Sequence, residues 1–150
     1  MARALLVALA LAAVLAGCGS GDGGNDASRE DFVADANAIC RDGEREIAGK
    51  FDAEQPTPES LKRLADAYDP YLERLRALDP PRELEPGWRE FVAGVDEGFE
   101  LLPDLAEAAE ARDEERLRKI SERAEEIADD TRPFAQTNGL DGCLPAQEQG

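Results

Sequence analysis

The chain has 150 residues and a formal net charge of −17, with 17 Lys and Arg against 34 Asp and Glu. This length fits a single domain, and the hydrophobic fraction of 42% is ordinary for a folded protein. The absence of histidine from the sequence excludes Ser-His-Asp and Cys-His catalysis and histidine-ligated metal sites. The acidic balance argues against a nucleic-acid partner, because phosphate binding needs Lys and Arg.

The N-terminal segment predicts export. Arg3 is followed by an apolar run over residues 4–16, which would form a helix about 20 Å long. A bilayer core of about 30 Å needs a longer span, so the run fits the apolar region of a secretory signal peptide. The segment ends in Leu15-Ala16-Gly17-Cys18, which resembles the bacterial lipobox. That resemblance implies that the Cys18 thiol carries a diacylglyceryl group and that residues 1–17 are removed as a lipoprotein signal peptide.

Residues 18–28 would then comprise the lipidated cysteine and a flexible tether. Residues 19–28 include four glycines and no large apolar side chain, a composition typical of a linker. Two or more acyl chains hold a protein firmly in a bilayer. We therefore expect the protein at the outer face of the cell membrane, with the membrane as a partner through the lipid anchor.

Residues 29–143 predict an all-α domain, an antiparallel up-down-up-down four-helix bundle with one disulfide. The first helix extends from about residue 29 to residue 51 behind the N-cap Ser28, and its apolar residues recur on one face. These residues are Phe32, Ala36, Ile39, Gly43, Ile47 and Phe51.

The second helix begins behind the N-cap Thr57 and ends at Asp79-Pro80-Pro81. Its apolar residues follow a heptad repeat: Leu61, Leu64, Tyr68, Tyr71, Leu75 and Leu78. Three prolines fall inside predicted helices: Pro70, Pro103 and Pro133. They either kink their helices without further effect or splay the bundle around a cavity. For the second helix a further alternative is that Asp69-Pro70 splits it into two pieces.

The third helix has its first apolar residue at Trp88 and its last at Ala109, and the fourth follows the N-cap Asp113. The apolar face of the third consists of Trp88, Phe91, Val95, Gly98, Leu102, Leu105 and Ala109. That of the fourth consists of Leu117, Ile120, Ala124, Ile127, Thr131 and Phe134. The pair Asn138-Gly139 ends the fourth helix, and residues 144–150 are expected to be a disordered tail.

Two cysteines remain if Cys18 is lipidated. An even number in an exported chain indicates one structural disulfide, here between Cys40 and Cys143. The bond would close a loop of about 100 residues, for which the lost chain entropy corresponds to roughly 4.7 kcal/mol. A redox-active pair is the alternative, but the sequence has no Cys-x-x-Cys motif. In this topology the tether enters at the end of the bundle that holds the disulfide, so that end should face the membrane.

Tyr68, Tyr71 and Trp88 are the candidates for a ligand cavity, because each joins an aromatic ring to a polar atom. The alternative is that they are core residues at the solvent edge. The fourth helix also carries a group of carboxylates on one face: Glu122, Glu125, Glu126 and Asp129. The basic residues between them favour a solvated face over a weak divalent-cation site. We expect no catalytic residue, no resident metal and no cofactor.

Four segments resemble the small secreted lipoproteins common in high-GC Gram-positive bacteria. They are the lipobox at 15–18, Ala36-Asn37-Ala38-Ile39-Cys40, Leu78-Asp79-Pro80-Pro81 and Gly139-Leu140-Asp141-Gly142-Cys143. The resemblance covers most of the chain and implies an extracytoplasmic location and a helical, disulfide-linked fold. We interpret the protein as a monomeric, non-enzymatic binding or interaction module of the cell envelope, with an envelope protein as its partner. The alternative is a carrier of a small apolar ligand or a divalent cation in a cavity of the bundle.

Overall fold

The structure, a computed structural model, describes residues 28–48 and 57–145. These residues form α1 (Arg29–Ala48), α2 (Pro58–Arg76), α3 (Glu85–Ala111), α4 (Glu114–Asn138) and a short 3-10 turn (Asp141–Cys143). The predicted all-α four-helix bundle with a disulfide between Cys40 and Cys143 is confirmed.

Part of the prediction lies outside the described residues. This part comprises the signal peptide at 1–17, the lipobox with Cys18, the tether up to residue 27, the last turn of the first helix with Phe51, and residues 146–150. Leu144 belongs to the predicted disordered tail, but the structure describes it, and its side chain is 7% exposed.

The three predicted N-caps each form a side-chain cap. The Ser28 hydroxyl accepts a hydrogen bond from the backbone N–H of Asp31 at 3.1 Å. The Thr57 hydroxyl accepts a hydrogen bond from the backbone N–H of Ser60 at 3.1 Å, and the Ser60 hydroxyl accepts one from the N–H of Thr57 at 2.9 Å. The Asp113 carboxylate accepts a bond from the N–H of Arg116 at 3.0 Å. Each cap satisfies backbone donors that have no partner within the helix. All three N-caps are therefore confirmed, whereas α3 begins at Glu85, three residues before Trp88.

Surface ion pairs show that α2 and α3, and α3 and α4, are antiparallel. Lys62 near the start of α2 lies 3.4 Å from the Glu110 carboxylate near the end of α3. Arg116 near the start of α4 lies 2.8 Å from Asp104, again near the end of α3. At the other end, Arg29 at the start of α1 donates to the side-chain oxygen of Asn138 at the end of α4, at 2.8 Å. The four helices therefore alternate in direction.

The helices continue through their internal prolines. Pro70, Pro103 and Pro133 each lie inside one uninterrupted helix, and each is exposed. On the exposed face, water can solvate the carbonyl that loses its backbone partner to the proline ring. The alternative that Asp69-Pro70 splits the second helix is therefore wrong.

The main core lies at the end where α1 begins and α4 finishes. Its centre is aromatic: the Phe32 ring meets the Trp88 ring edge-on, with centroids 5.0 Å apart, and Phe91 stacks on Trp88 at 5.5 Å. The remaining buried members of this core are Ala36, Cys40, Tyr68, Tyr71, Leu72, Leu75, Leu84, Val92, Ala135, Leu140 and Leu144.

The buried face of α4 departs in part from the predicted heptad. Ala124 is exposed, whereas Ala135, which the repeat leaves out, is 1% exposed. A straight helix has 3.6 residues per turn, so a strict repeat of 3.5 drifts around its surface by about 20° per heptad. Ile120 and Ile127 are both buried as the heptad predicts, so the drift affects only the last part of the helix, where Ala135 is buried more deeply than Phe134.

The opposite end of the bundle, where α2 begins and α3 meets α4, is more open. Leu61 and Ile120 are buried there, at 4% and 9% exposure. Three leucines predicted on apolar faces are only partly buried at this end: Leu102, Leu105 and Leu117.

Candidate functional site

The C-terminal segment is fixed onto α1 by a disulfide and a polar side chain. The Cys40–Cys143 bond joins residues 103 positions apart. Beside it, the Asn37 amide donates to the carbonyl of Gly139 at 2.9 Å, and its oxygen accepts from the N–H of Gly142 at 2.6 Å. Asn37 is 8% exposed, so these bonds satisfy a buried polar group. A Cβ at Gly142 would lie 2.7 Å from the carbonyl oxygen of Asn37, so this contact requires glycine.

Tyr68 and Tyr71 lie beside this fixed segment. The Tyr71 hydroxyl donates to the sulfur of Cys40 at 3.3 Å, and the two tyrosine rings meet edge-on at 4.9 Å. Burial raises the pKa of Tyr71 to about 12 and moves the pKa of Tyr68 upward as well, because a phenolate would lose its hydration. Both side chains line a pocket of about 240 Å³ next to Ile47 and Leu144.

Trp88 lies in a different place. Its ring packs on Phe32 and Phe91 and lines a separate groove of about 360 Å³ between the end of α2 and the start of α3. Leu78 and Val92 share that groove. The structure therefore brings Tyr68 and Tyr71 together and separates them from Trp88.

A third concave surface, larger than the two above, lies between α3 and α4, and we call it the α3–α4 groove. It encloses about 540 Å³, within the range of small-molecule and peptide-anchor sites. Its apolar lining consists of Ala93, the partly buried Phe134, and Phe91 and Ile127, which are 5% and 7% exposed. Its charged lining consists of Glu90 and Glu97 from α3 and Arg123 and Asp130 from α4.

Glycines on α3 set the depth of the α3–α4 groove. A Cβ at Gly87 would lie 2.5 Å from a ring carbon of Phe134, and one at Gly94 would collide with the Thr131 methyl group. Because these positions lack a side chain, Phe134 and Thr131 of α4 rest directly on the α3 backbone. The α3–α4 groove is consequently lined by backbone at Gly87 and Gly94 and by side chains at its other positions.

The charges of the groove fall into two groups. Arg123 donates to Glu97 at 3.0 Å and to Glu126 at 2.9 Å, and these two carboxylates raise its pKa. Glu90 and Asp130 are both exposed, and neither makes an ion pair or a hydrogen bond with the described residues. The groove therefore presents one arginine that is paired with two carboxylates, and two further carboxylates that have no partner among the residues the structure describes.

The predicted acidic face of α4 is exposed along its length. Glu122 pairs with Arg118 at 2.5 Å and Asp129 with Arg132 at 2.6 Å, both within the helix. Within residues 28–48 and 57–145, no group of three or more His, Cys, Asp or Glu side chains is arranged to hold a metal ion.

Two features of the site were missed from the sequence. Asn37 carried a detectable signal, because it is a polar residue next to Ala36 on the buried side of an amphipathic helix. The α3–α4 groove carried a weaker one: Gly87 and Gly94 are seven residues apart, which places them on the same face of α3.

Comparison of the chain with protein-family profiles, with curated proteins and with solved structures found no match. Among the described helices, none combines the length and the apolar character that a bilayer crossing requires.

Proposed function

We propose that this protein is a membrane-anchored, extracytoplasmic lipoprotein that acts as a non-enzymatic interaction module of the cell envelope. The observation that carries the proposal is the Cys40–Cys143 disulfide. Structural disulfides persist in oxidising compartments outside the cytoplasm. The disulfide therefore agrees with the export that the apolar run at 4–16 and the lipobox at 15–18 predict.

The position of the first described residue supports an anchor at one end of the bundle. Ser28 precedes α1, and the neighbouring Arg29 binds Asn138 at the end of α4. A tether that ends at residue 28 would hold this end towards the membrane. The opposite end, with the α2 start and the turn at Asp113, would then extend away from the lipid surface.

Interaction is favoured over catalysis by the kind of surface the bundle offers. The described grooves combine apolar side chains with carboxylates, and the two tyrosines with raised pKa values are buried and protonated at neutral pH. The chain contains no histidine to act as a general base near neutrality. Such grooves suit recognition of another molecule.

Anchoring is tested by fractionating cells that express the wild type and Cys18→Ser. The wild type should sediment with membranes and incorporate labelled palmitate. The Cys18→Ser variant should incorporate no label, and lipoprotein signal peptidase should not cleave it. The double variant Cys40→Ser/Cys143→Ser is the matched control, because it also removes thiols but keeps Cys18 and should keep the label. Labelling of Cys18→Ser would refute the anchor.

The interaction role is tested separately by native mass spectrometry and by crosslinking in the envelope. We expect a monomer with no added mass, and a crosslink to a defined envelope protein. A small molecule that remains bound under gentle ionisation would instead support the carrier function.

A further inference from the structure

We propose that the α3–α4 groove is the docking site for a basic amphipathic helix of a partner protein. The proposal rests on the interaction function above and specifies the chemistry of the partner. Such a helix would place an apolar side chain against the partly buried Phe134, above a floor to which Phe91 and Ile127 contribute at 5% and 7% exposure. Its lysine or arginine side chains would lie beside Glu90 and Asp130.

The shape of the groove fits a helix. On α3 its lining extends from Gly87 to Glu97, which is about 15 Å at 1.5 Å per residue. That length equals roughly three helical turns, enough for apolar anchors at positions i, i+3 or i+4, and i+7. A trough between two helices is also the surface against which a third helix packs in a bundle.

The charges of the groove select a basic occupant. Arg123 is already held by Glu97 and Glu126, so it adds little repulsion towards a cation. Glu90 on one wall and Asp130 on the other have no partner among the described residues. A cationic side chain that approaches either carboxylate gains an ion pair and displaces only water.

The net charge of the chain argues against two other occupants. A second copy would bring another charge of −17 to the surface, and like charges of that size repel. The same repulsion acts against the anionic lipids of a membrane leaflet. A basic segment of a different protein is attracted by both the groove and the whole domain.

The binding test uses the full chain as purified from an expressing host in non-ionic detergent, with isoleucine methyl groups labelled for NMR. Among the four isoleucines of the sequence, Ile127 lines the groove and Ile120 does not. The probe is a 14-residue peptide of leucine and lysine with the leucines at helical spacing. We expect this peptide to shift the Ile127 methyl resonance and to leave that of Ile120 unchanged.

Two matched variants then separate the groove from general acidity. Glu90→Gln/Asp130→Asn removes one carboxylate from each wall and should weaken binding about tenfold, since exposed ion pairs contribute up to about 1 kcal/mol each. Glu100→Gln/Glu125→Gln changes the net charge equally on the same two helices, at exposed positions outside the groove, and should weaken binding less than about twofold.

Five outcomes would overturn the proposal. An equal loss in the control variant, or equally tight binding of an all-lysine peptide, would indicate non-specific attraction to acidic protein. Equal binding of a leucine–glutamate peptide would remove the role of Glu90 and Asp130. An Ile127 shift on concentrating the protein alone would indicate a second copy as occupant, and tighter binding of decylammonium would indicate a small-ligand site. None of these outcomes affects the fractionation test of Cys18, so failure here is distinguishable from failure of the anchor.

Discussion

The two ends of the bundle are stabilised in different ways. At the end that we propose to face the membrane, a disulfide and the C-terminal turn cover the core. Phe32, Leu75 and Leu140 in this core are at most 2% exposed. At the opposite end, Leu102 and Leu105 stay partly exposed, and ion pairs lie on the surface. Because exposed ion pairs contribute only about 0–1 kcal/mol, the contrast indicates that most of the stability is concentrated near the disulfide.

The largest expected effect comes from removing the disulfide. Cys40→Ser/Cys143→Ser should lower the free energy of unfolding by about 3–5 kcal/mol, because the bond closes a loop between residues 103 apart. Urea unfolding measures the loss. Hydrogen exchange should accelerate more in α1 than at Ala106 in α3. Uniform acceleration would contradict the concentration of stability at one end.

The buried tyrosines should make this end sensitive to alkali. Burial raises the pKa of Tyr71 to about 12, whereas an unfolded tyrosine ionises near pH 10. The stabilisation linked to protonated Tyr71 is complete below pH 10. It is lost as the pH rises towards 12, because the unfolded state releases a proton that the native state keeps. Between pH 9 and pH 12 the wild type should therefore lose about 2–3 kcal/mol more than Tyr71→Phe.

Unfolding in urea at several pH values checks this difference. Because the hydroxyls of Tyr68 and Tyr71 influence each other's pKa, Tyr68→Phe and the double variant complete a cycle that isolates the contribution of Tyr71. Parallel curves for the wild type and Tyr71→Phe would show that the Tyr71 hydroxyl is not buried in solution.

The smallest effects come from two glycines that differ in their surroundings. A Cβ at Gly43 would lie 2.6 Å from a ring carbon of Tyr71, whereas one at Gly98 would have its nearest neighbour, Ile127, at 3.9 Å. Gly43→Ala should destabilise the protein by about 1–3 kcal/mol through overpacking. Gly98→Ala should stabilise it by up to about 1 kcal/mol through helix propensity. Thermal melts of both variants measure the contrast. A melting temperature that changes in the same direction in both would contradict the difference between the two sites.

The local features of the fold were predictable because they depend on neighbouring residues. Thr57 and Asp113 are N-caps by their chemistry, and Leu61, Leu64, Tyr68, Tyr71 and Leu75 are buried as their heptad predicts. The disulfide was predicted from the two cysteines that remain if Cys18 is lipidated. The burial of Ala135 was missed because the heptad assumes a period that a straight helix does not have.

The candidate site was less predictable because it depends on how deeply helices pack. Periodicity assigns Tyr71 and Trp88 to buried faces, but it does not tell which groove each will line. The α3–α4 groove depends on the contact of Gly87 with Phe134, which joins residues of two helices far apart in sequence. The position of Glu90 and Asp130 on opposite walls follows from that contact.

The Cys40–Cys143 bond also changes the covalent topology of the protein. Together with the backbone it makes one ring that contains the part of α1 from Cys40 onward, all of α2, α3 and α4, and the C-terminal turn. A protease that cuts a single peptide bond inside the ring opens it without releasing a fragment. The cut molecule keeps every helix joined to residue 28, and the cleavage shows on a gel only after reduction.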